Sequence, residues 1–404
     1  MIYYKTFLNK YFKKSNIINV LFISILLLFL LSCSKNRENN QKNSIKTKII
    51  DTDIYVRAVA IEKYEIYIYG IYTDEKTLGL KRFEINKDLE TNLSISFVDK
   101  VGNELKTTGS SDKYIYKIDN GSESILYKDQ KTDTKRILKY ITKNIDEKTW
   151  TIYPQNISPK EYATFVYNDK IYVVYYEDTF YMGIIENNNI KKTNFNLIKN
   201  SKELHSLKIT KFNDTIKIYF INENNELLEN SYKITDKNNV EFLLQKTNLI
   251  DGDIKTYDVK IDGEGKSLIL YYKEKDNSLN FYREGNLNKE VAKDIVGYFN
   301  DIYAIHLINL NEKFIFCIST LSITDQGKKI DYNKKTEERF SYPFILIYPK
   351  NKSKKTVKWY EEELFLSEIP ILSINSTIDE ESLYILTGNN NLTLIKIDKS
   401  KFDL

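Results

Sequence analysis

The fold is decided by the stretch Tyr162-Ala-Thr-Phe-Val-Tyr167, Asn168-Asp169, Ile171-Tyr-Val-Val-Tyr-Tyr176. Two short runs rich in β-branched and aromatic residues flank an Asn-Asp pair, whose side chains tolerate the left-handed backbone of a tight turn. The stretch therefore predicts a β-hairpin. Its second run is apolar at both parities, which predicts a strand that is covered on both faces, because a strand covered on one face would alternate apolar and polar residues.

The same pattern recurs along the chain. Seven units of this kind begin near residues 56, 113, 162, 206, 257, 303 and 372. The spacing is roughly 45–55 residues with one longer interval, and a period of about 40–50 residues with three or four strands per unit is typical of a β-propeller blade. The chain therefore resembles an all-β protein of the β-propeller type with seven blades. Tandem β-sandwiches are the alternative, although they give less reason for a sevenfold recurrence.

The second strands of these units supply the predicted core. A blade lies between two others, so both faces of its central strands should be covered. We expect burial of the apolar side chains of three such strands, namely Ile171, Val173, Leu268, Leu270, Phe314 and Phe316. Cys317 lies in the same kind of run and is expected to pack as a small apolar residue.

The first 32 residues have the composition of a secretory signal. They contain four lysines and no acidic residue, and an apolar run follows from Ile17 to Leu31. A basic head, an apolar segment of roughly 15 residues and a small residue at the end are typical of a cleaved signal peptide. A membrane-spanning helix needs about 20 apolar residues.

The end of this segment, Leu30-Leu31-Ser32-Cys33, resembles the lipobox of bacterial lipoproteins. The resemblance implies cleavage between Ser32 and Cys33 and attachment of lipid to the Cys33 thiol. It also implies a bacterial cell-envelope protein that contacts a membrane through its N-terminal lipid. The residue after the cysteine is Ser34 rather than Asp, which resembles the pattern of lipoproteins that are sorted to the outer membrane. An ordinary signal peptide and an uncleaved anchor are the alternatives.

Eleven polar residues follow the cysteine, from Ser34 to Ser44. Such a segment cannot bury enough apolar surface to offset the entropy of ordering, so a disordered tether is expected. The predicted organisation is a signal peptide over 1–32, a lipid-anchored tether over 33–50 and a β-propeller over 51–404.

Charge and cysteine content restrict the class of protein. The formal net charge is +4, and the four lysines of the signal account for all of it. A mature chain of balanced charge lacks the basic stripe of a nucleic-acid-binding protein, so no nucleic-acid partner is expected. With two cysteines in the whole chain and Cys33 lipidated, no disulfide can form within the molecule.

The sequence predicts no catalytic, cofactor-binding or metal-binding residue. The two histidines, His205 and His306, lie about a hundred residues apart and are expected to be structural, and zinc sites built on several thiolates or imidazoles are excluded. No nucleophile elbow, phosphate-binding loop or dinucleotide-binding motif is found. The acidic residues Asp251, Asp253 and Asp258 and the run Glu361-Glu-Glu363 are expected to lie in solvated loops.

These observations favour a non-enzymatic binding or scaffolding protein that presents propeller loops to a protein or a glycan. A carbohydrate-active enzyme on the same scaffold and a structural subunit of an envelope assembly are the alternatives. Trp150 and Trp359 are expected to pack in the fold, and the charged segment 326–339 to extend a loop. Hydrolysis of glycosides, esters or peptides is not expected.

Overall fold

The computed structural model of the protein is built from β-strands. It describes residues 45–51, 54–62, 65–72, 78–86, 88–95, 97–103, 116–119, 123–132, 135–144, 149–193, 203–235, 242–285, 289–290, 300–310, 313–322, 340–349, 358–360, 373–388 and 392–402. Within these ranges the helical structure consists of one short 3-10 helix, Lys399–Phe402. The prediction of an all-β protein is confirmed.

The strands form four-stranded antiparallel sheets that we number in chain order. Sheet 1 contains β2 (Ile54–Glu62), β3 (Glu65–Tyr72), β4 (Leu78–Ile85) and β5 (Thr91–Ile95). Sheet 2 contains β6 (Tyr116–Asp119), β7 (Glu123–Thr132), β8 (Lys135–Asn144) and β9 (Thr149–Pro154). Sheet 3 contains β10 (Glu161–Tyr167), β11 (Lys170–Tyr176), β12 (Phe180–Glu186) and β13 (Asn189–Lys192). Each of these sheets is a consecutive meander.

Three more meanders and one composite sheet follow. Sheet 4 contains β14 (Leu204–Phe212), β15 (Thr215–Asn222), β16 (Leu227–Ile234) and β17 (Phe242–Asp251). Sheet 5 contains β18 (Ile254–Ile261), β19 (Ser267–Lys273), β20 (Ser278–Arg283) and β21 (Lys289–Glu290). Sheet 6 contains β22 (Asn300–Leu310), β23 (Lys313–Ser322), β24 (Phe340–Pro349) and β25 (Lys358–Tyr360). Sheet 7 contains β26 (Ser373–Ile378), β27 (Ser382–Gly388), β28 (Leu392–Asp398) and β1 (Ile45–Asp51).

Sheet 7 combines the two ends of the folded chain. Strand β1 pairs antiparallel with β28, so that Ile45 lies opposite Ile397 and Asp51 opposite Leu392. Residues 45–50, which the sequence analysis assigned to the tether, lie within strand β1. The physical reason is that β1 is an edge strand, with a partner that lies at the far end of the sequence.

The hairpins predicted from local pattern are present. Strands β10 and β11 pair across Asn168 and Asp169, which have φ values of 47° and 59° as the tight turn requires. The second strands β11, β15, β19 and β27 are buried along nearly their whole length. The predicted burial is confirmed for all six apolar residues, Ile171, Val173, Leu268, Leu270, Phe314 and Phe316.

Apolar clusters join each sheet to the next. Separate clusters link sheets 1 and 2, 2 and 3, 3 and 4, 4 and 5, 5 and 6, 6 and 7, and finally 7 and 1. Between sheets 1 and 2, for example, Phe97 packs edge-on against Trp150 with ring centroids 4.9 Å apart. Cys317 packs in the cluster between sheets 6 and 7, as predicted, and its burial raises the pKa of the thiol.

Four turns share one hydrogen-bonding pattern. In each, an Asn or Asp Oδ1 accepts from the backbone N–H groups two and four residues later, and the residue in the fourth position of the turn has a positive φ. The turns start at Asn86, Asp99, Asn222 and Asp262. In the last, burial would raise the pKa of Asp262, but the N–H groups of Lys266 and Glu264 lower it. Side-chain acceptance of this kind is what favours Asx residues in turns.

Two glycines at the same position of this turn provide a matched stability test. Gly102 (φ 83°) faces open space, whereas a Cβ on Gly265 (φ 77°) would overlap the ring of Phe212. We expect Gly102→Ala to lower the free energy of unfolding by about 1 kcal/mol through backbone strain alone. Gly265→Ala should cost about 2–4 kcal/mol, because overpacking adds to the strain. Urea unfolding of both variants measures the difference, and equal losses would contradict this explanation.

Candidate functional site

The first strands of neighbouring sheets are joined through polar side chains. The Leu207 N–H on β14 donates to Glu161 Oε2 on β10 at 3.4 Å, and the Leu307 N–H on β22 donates to Asp258 Oδ2 on β18 at 2.8 Å. Each carboxylate thus accepts from the backbone of the next sheet. Polar groups collect along these first strands, whereas the second strands are mainly apolar.

One group of residues spans three first strands, and we call it the Asp–His–Ser chain. His306 on β22 lies between Asp258 on β18 and Ser376 on β26. Its Nδ1 lies 3.0 Å from Asp258 Oδ2, and its Nε2 lies 2.8 Å from Ser376 Oγ. Lys208 Nζ contacts Asp258 Oδ1 at 2.6 Å. The carboxylate therefore holds the imidazole on one side, and a hydroxyl meets the imidazole on the other.

The charges of this group follow from its surroundings. Burial alone would raise the pKa of Asp258, but Lys208 and His306 hold it well below its ordinary value, so the carboxylate is ionised. Burial lowers the pKa of His306, although Asp258 opposes this. A neutral imidazole facing a carboxylate carries its proton on Nδ1, which leaves Nε2 to accept from the Ser376 hydroxyl.

A second feature is a pocket of about 430 Å³ where β14 and β18 begin. Its wall includes His205 and Ser206 from β14, Asn225 from the β15–β16 turn, and Asp253 and Lys255 from the start of β18. Glu274 and Lys275 from the β19–β20 turn form the rest of the polar lining. The pocket therefore lies at the loop ends of sheets 4 and 5.

The backbone around this pocket is held in an uncommon conformation. Ser206, Asn225 and Asp253 have φ values of 58°, 58° and 59°. A bulge in β14 next to His205 includes Ser206, whose carbonyl accepts a hydrogen bond from the Tyr257 hydroxyl. Left-handed non-glycine residues cost free energy and cluster where a surface shape is functional. These contacts give the pocket a fixed wall.

The pocket is lined by side chains of both charge signs, and these side chains are exposed to solvent. Lys255 Nζ lies 2.7 Å from Glu274 Oε1, and Lys275 and Asp253 are exposed. An exposed ion pair contributes little to stability. These groups are therefore available to a polar partner at small cost to the fold.

A third polar group lies entirely between sheets 4 and 5. Lys217 Nζ contacts Ser267 Oγ at 3.0 Å and Glu284 Oε2 at 2.5 Å. Ser267 Oγ also lies 2.5 Å from Glu229 Oε2 and 2.8 Å from the Tyr219 hydroxyl. Ser267, Glu229 and Tyr219 are fully buried. This group holds two sheets together, and its Glu284 side chain reaches the surface with 32% exposure.

The residues singled out in the sequence fall into different environments. His205 is exposed at the pocket, whereas His306 is 7% exposed within the Asp–His–Ser chain. Trp150 is buried, as predicted, with Arg82 and Lys143 over its ring. The prediction that Asp258 lies in a solvated loop is wrong, because it sits on β18 with all its partners buried or half-buried around it.

The other two acidic residues of that group differ again. Asp251 pairs with Lys273 at 3.0 Å and accepts from the Tyr271 hydroxyl, and Asp253 is exposed. Several predictions concern positions outside the described residues: Ser32, Cys33, the segment 326–339, the run 361–363 and the side chain of Trp359. Across the described part of the chain, no group of three or more His, Cys, Asp or Glu side chains is arranged to hold a metal ion.

Sequence reasoning did not find Ser376, Lys208 or Lys217. Ser376 and Lys208 leave no local mark, because their partners lie 70 and 50 residues away. Lys217, by contrast, does leave a local signal in the sequence. It is a charged residue inside the otherwise apolar strand β15, where a buried lysine needs a partner.

Comparison with known proteins adds no family. No protein-family model matches the chain, and no curated protein is similar to it in sequence. The described residues contain no helix long and apolar enough to cross a membrane. The site must therefore be interpreted from its own geometry.

Lys217 allows a test of the buried group. Removal of one member of a buried ion pair leaves uncompensated charge, so Lys217→Met should lower the free energy of unfolding by about 3–5 kcal/mol. Lys246→Met, at an exposed position on β17, should change it by less than about 0.5 kcal/mol. Chemical unfolding of the two variants gives both values. A loss below 1 kcal/mol at Lys217 would show that the contacts of its ammonium are not stabilising.

Proposed function

We propose that the seven sheets are the blades of a β-propeller. Each sheet packs on the next through its own apolar cluster, and the series returns from sheet 7 to sheet 1. Tandem sandwiches would instead pack sheets in face-to-face pairs inside each domain. Strand β1 completes sheet 7, which joins the first and last parts of the chain as closure of a propeller requires.

The propeller is attached to a bacterial envelope membrane through lipid on Cys33. The motif Leu30-Leu31-Ser32-Cys33 supports this, and the sorting resemblance of Ser34 favours the outer membrane. Because β1 begins at Ile45, twelve residues from 33 to 44 separate the lipid from the fold. A flexible chain of that length spans on the order of 20 Å. The propeller would thus lie close to the membrane surface.

Its function is to bind or scaffold a partner through the loop pocket between sheets 4 and 5, and this pocket is the observation that carries the proposal. Exposed lysine and aspartate side chains surround the pocket, and three of its lining residues have a left-handed backbone conformation. Among the described residues the lining contains no Phe, Tyr or Trp ring, and carbohydrate sites commonly use such rings as stacking surfaces. A polar segment of a protein therefore fits the pocket better than a glycan.

Lipid attachment is tested by Cys33→Ala in the producing cell. The unaltered protein should fractionate with membranes and have an intact mass that starts at Cys33 plus acyl groups. The variant should appear in the soluble fraction. Cys317→Ala, which changes a buried thiol, should leave fractionation unchanged. Retention of the Cys33 variant in membranes with an uncleaved N-terminus would instead indicate an anchor helix.

Partner binding is tested by site-specific photocrosslinking in the envelope. A photoreactive residue in place of Lys275 should give a discrete protein adduct, and the same residue in place of Lys246 on the exposed face of β17 should not. Asp253→Lys, which reverses a charge in the pocket, should reduce the Lys275 adduct at least tenfold. Equal adducts from both positions would argue against the pocket. Binding of the purified protein to a glycan array, lost in Asp253→Lys, would replace the protein partner by a glycan.

A further inference from the structure

We propose that Ser376 is a nucleophilic serine, activated by His306 and oriented through Asp258, that accepts acyl groups from activated carboxylic esters. This activity goes beyond the proposed binding function and does not depend on it. The observation that supports the proposal is that the three groups lie in series. Ser376 Oγ lies 2.8 Å from His306 Nε2, and His306 Nδ1 lies 3.0 Å from Asp258 Oδ2. Distances of about 2.6–3.2 Å between nucleophile, base and orienting group are what such catalysis requires.

The arrangement holds the imidazole in the orientation that a general base needs. Asp258 accepts from Lys208, from the Leu307 N–H and from His306, so its position is determined by three donors on two neighbouring strands, β14 and β22. A carboxylate fixed in this way selects the tautomer with a proton on Nδ1. The Nε2 lone pair then faces Ser376. Since the base and its orienting group are buried and Ser376 is partly exposed, the hydroxyl is the member of the series that can meet a substrate.

The reaction balances with the residues present and one water. Ser376 Oγ forms a bond to the carbonyl carbon of the ester while its proton moves to His306 Nε2. The bond from this carbon to the leaving oxygen then breaks, and His306 returns the proton to that oxygen, which gives an alcohol and an acylated serine. Water attacks the acyl group with His306 again as base. The products are a carboxylic acid and free Ser376, with no change in oxidation state.

The backbone next to Ser376 restricts the class of ester. The Ser376 N–H donates to Asn375 Oδ1 at 2.7 Å, so it is already engaged and does not stabilise a developing oxyanion. Loss of one such donor typically costs a factor of about 10²–10³ in rate. We therefore expect acylation by small esters that have a good leaving group, such as aryl esters, followed by slow deacylation. A fluorophosphonate should instead form a bond from phosphorus to Ser376 Oγ with release of fluoride.

The test uses the full-length protein in detergent and a fluorophosphonate probe, with mass spectrometry of the peptides. The probe should attach to Ser376. Ser376→Ala should abolish this adduct, and Ser373→Ala should leave it unchanged. Ser373 is a matched control, because it lies on the same strand and its Oγ accepts from the Val59 N–H of the neighbouring sheet. Folding of each variant is checked by circular dichroism.

Variants of the other two members distinguish activation from simple packing. His306→Gln should slow labelling of Ser376 by at least about 100-fold, the usual contribution of a general base. Asp258→Asn should slow it as well, because the favoured tautomer changes. If either variant fails to fold, the adduct on the unaltered protein and the pH dependence of its formation still test whether Ser376 is activated.

The pH profile follows from the groups that face His306. These are Asp258 and Lys260 on β18, Lys208 on β14 and the neutral thiol of Cys317 on β23. Because burial lowers the pKa of His306, the imidazole is neutral above the ordinary histidine value of about 6.5. The labelling rate should thus be level from about pH 7 to 8 and fall in acid.

Two results would overturn the proposal. One is the absence of a Ser376 adduct on the folded, unaltered protein after prolonged incubation with the probe. The other is labelling of Ser376 at a rate that His306→Gln does not change, since this would mean that the hydroxyl reacts like any exposed serine. Turnover of an aryl ester that disappears in Ser376→Ala and persists in Ser373→Ala would extend the result from labelling to catalysis.

Discussion

The pairing of β1 with β28 is the interaction on which the rest of the structure depends. It places residues 45–51 beside residues 392–397 and completes the sheet that packs against both sheet 6 and sheet 1. All other sheets are made from consecutive strands, so their hydrogen bonds are local. The long-range pairing within the sheets is therefore concentrated in one strand pair, where the buried side chains of Leu392 and Leu394 on β28 also face the core.

Apolar packing and polar pairing have largely separate places in this fold, and the Lys217 group between β15 and β19 is an exception. The second strands are buried on both faces and give the clusters between sheets. The first strands carry the polar residues that link neighbouring sheets, and buried members such as Asp258 have several partners. A buried charge is tolerated only when it is paired and hydrogen-bonded. Because these groups must be ordered for stability, the same first strands can also hold an imidazole and a hydroxyl in a fixed geometry.

The local elements of the fold could be predicted from the sequence, and the candidate site could not. Alternation and turn residues are short-range signals, and they predicted the hairpins of β10 with β11 and of β18 with β19. Strand β1 was not predicted, because its partner β28 lies roughly 340 residues further along the sequence. His306 and Ser376 are 70 residues apart, so folding alone brings them together. Asp251, Asp253 and Asp258 look alike in sequence, yet one is exposed, one is paired with a lysine and one is buried.

The composite sheet has a consequence for the time course of synthesis. Roughly 340 residues separate Asp51 from its partner Leu392. At translation rates of about 5–20 residues per second, β1 waits on the order of 20–70 s before β28 exists. During that interval residues 45–51 lack their backbone partner, and unpaired strand backbone is the kind of surface that pairs with other chains. Sheet 7 can be completed only after residues 392–398 have been synthesised, so this sheet forms later than the sheets whose strands are consecutive in the chain.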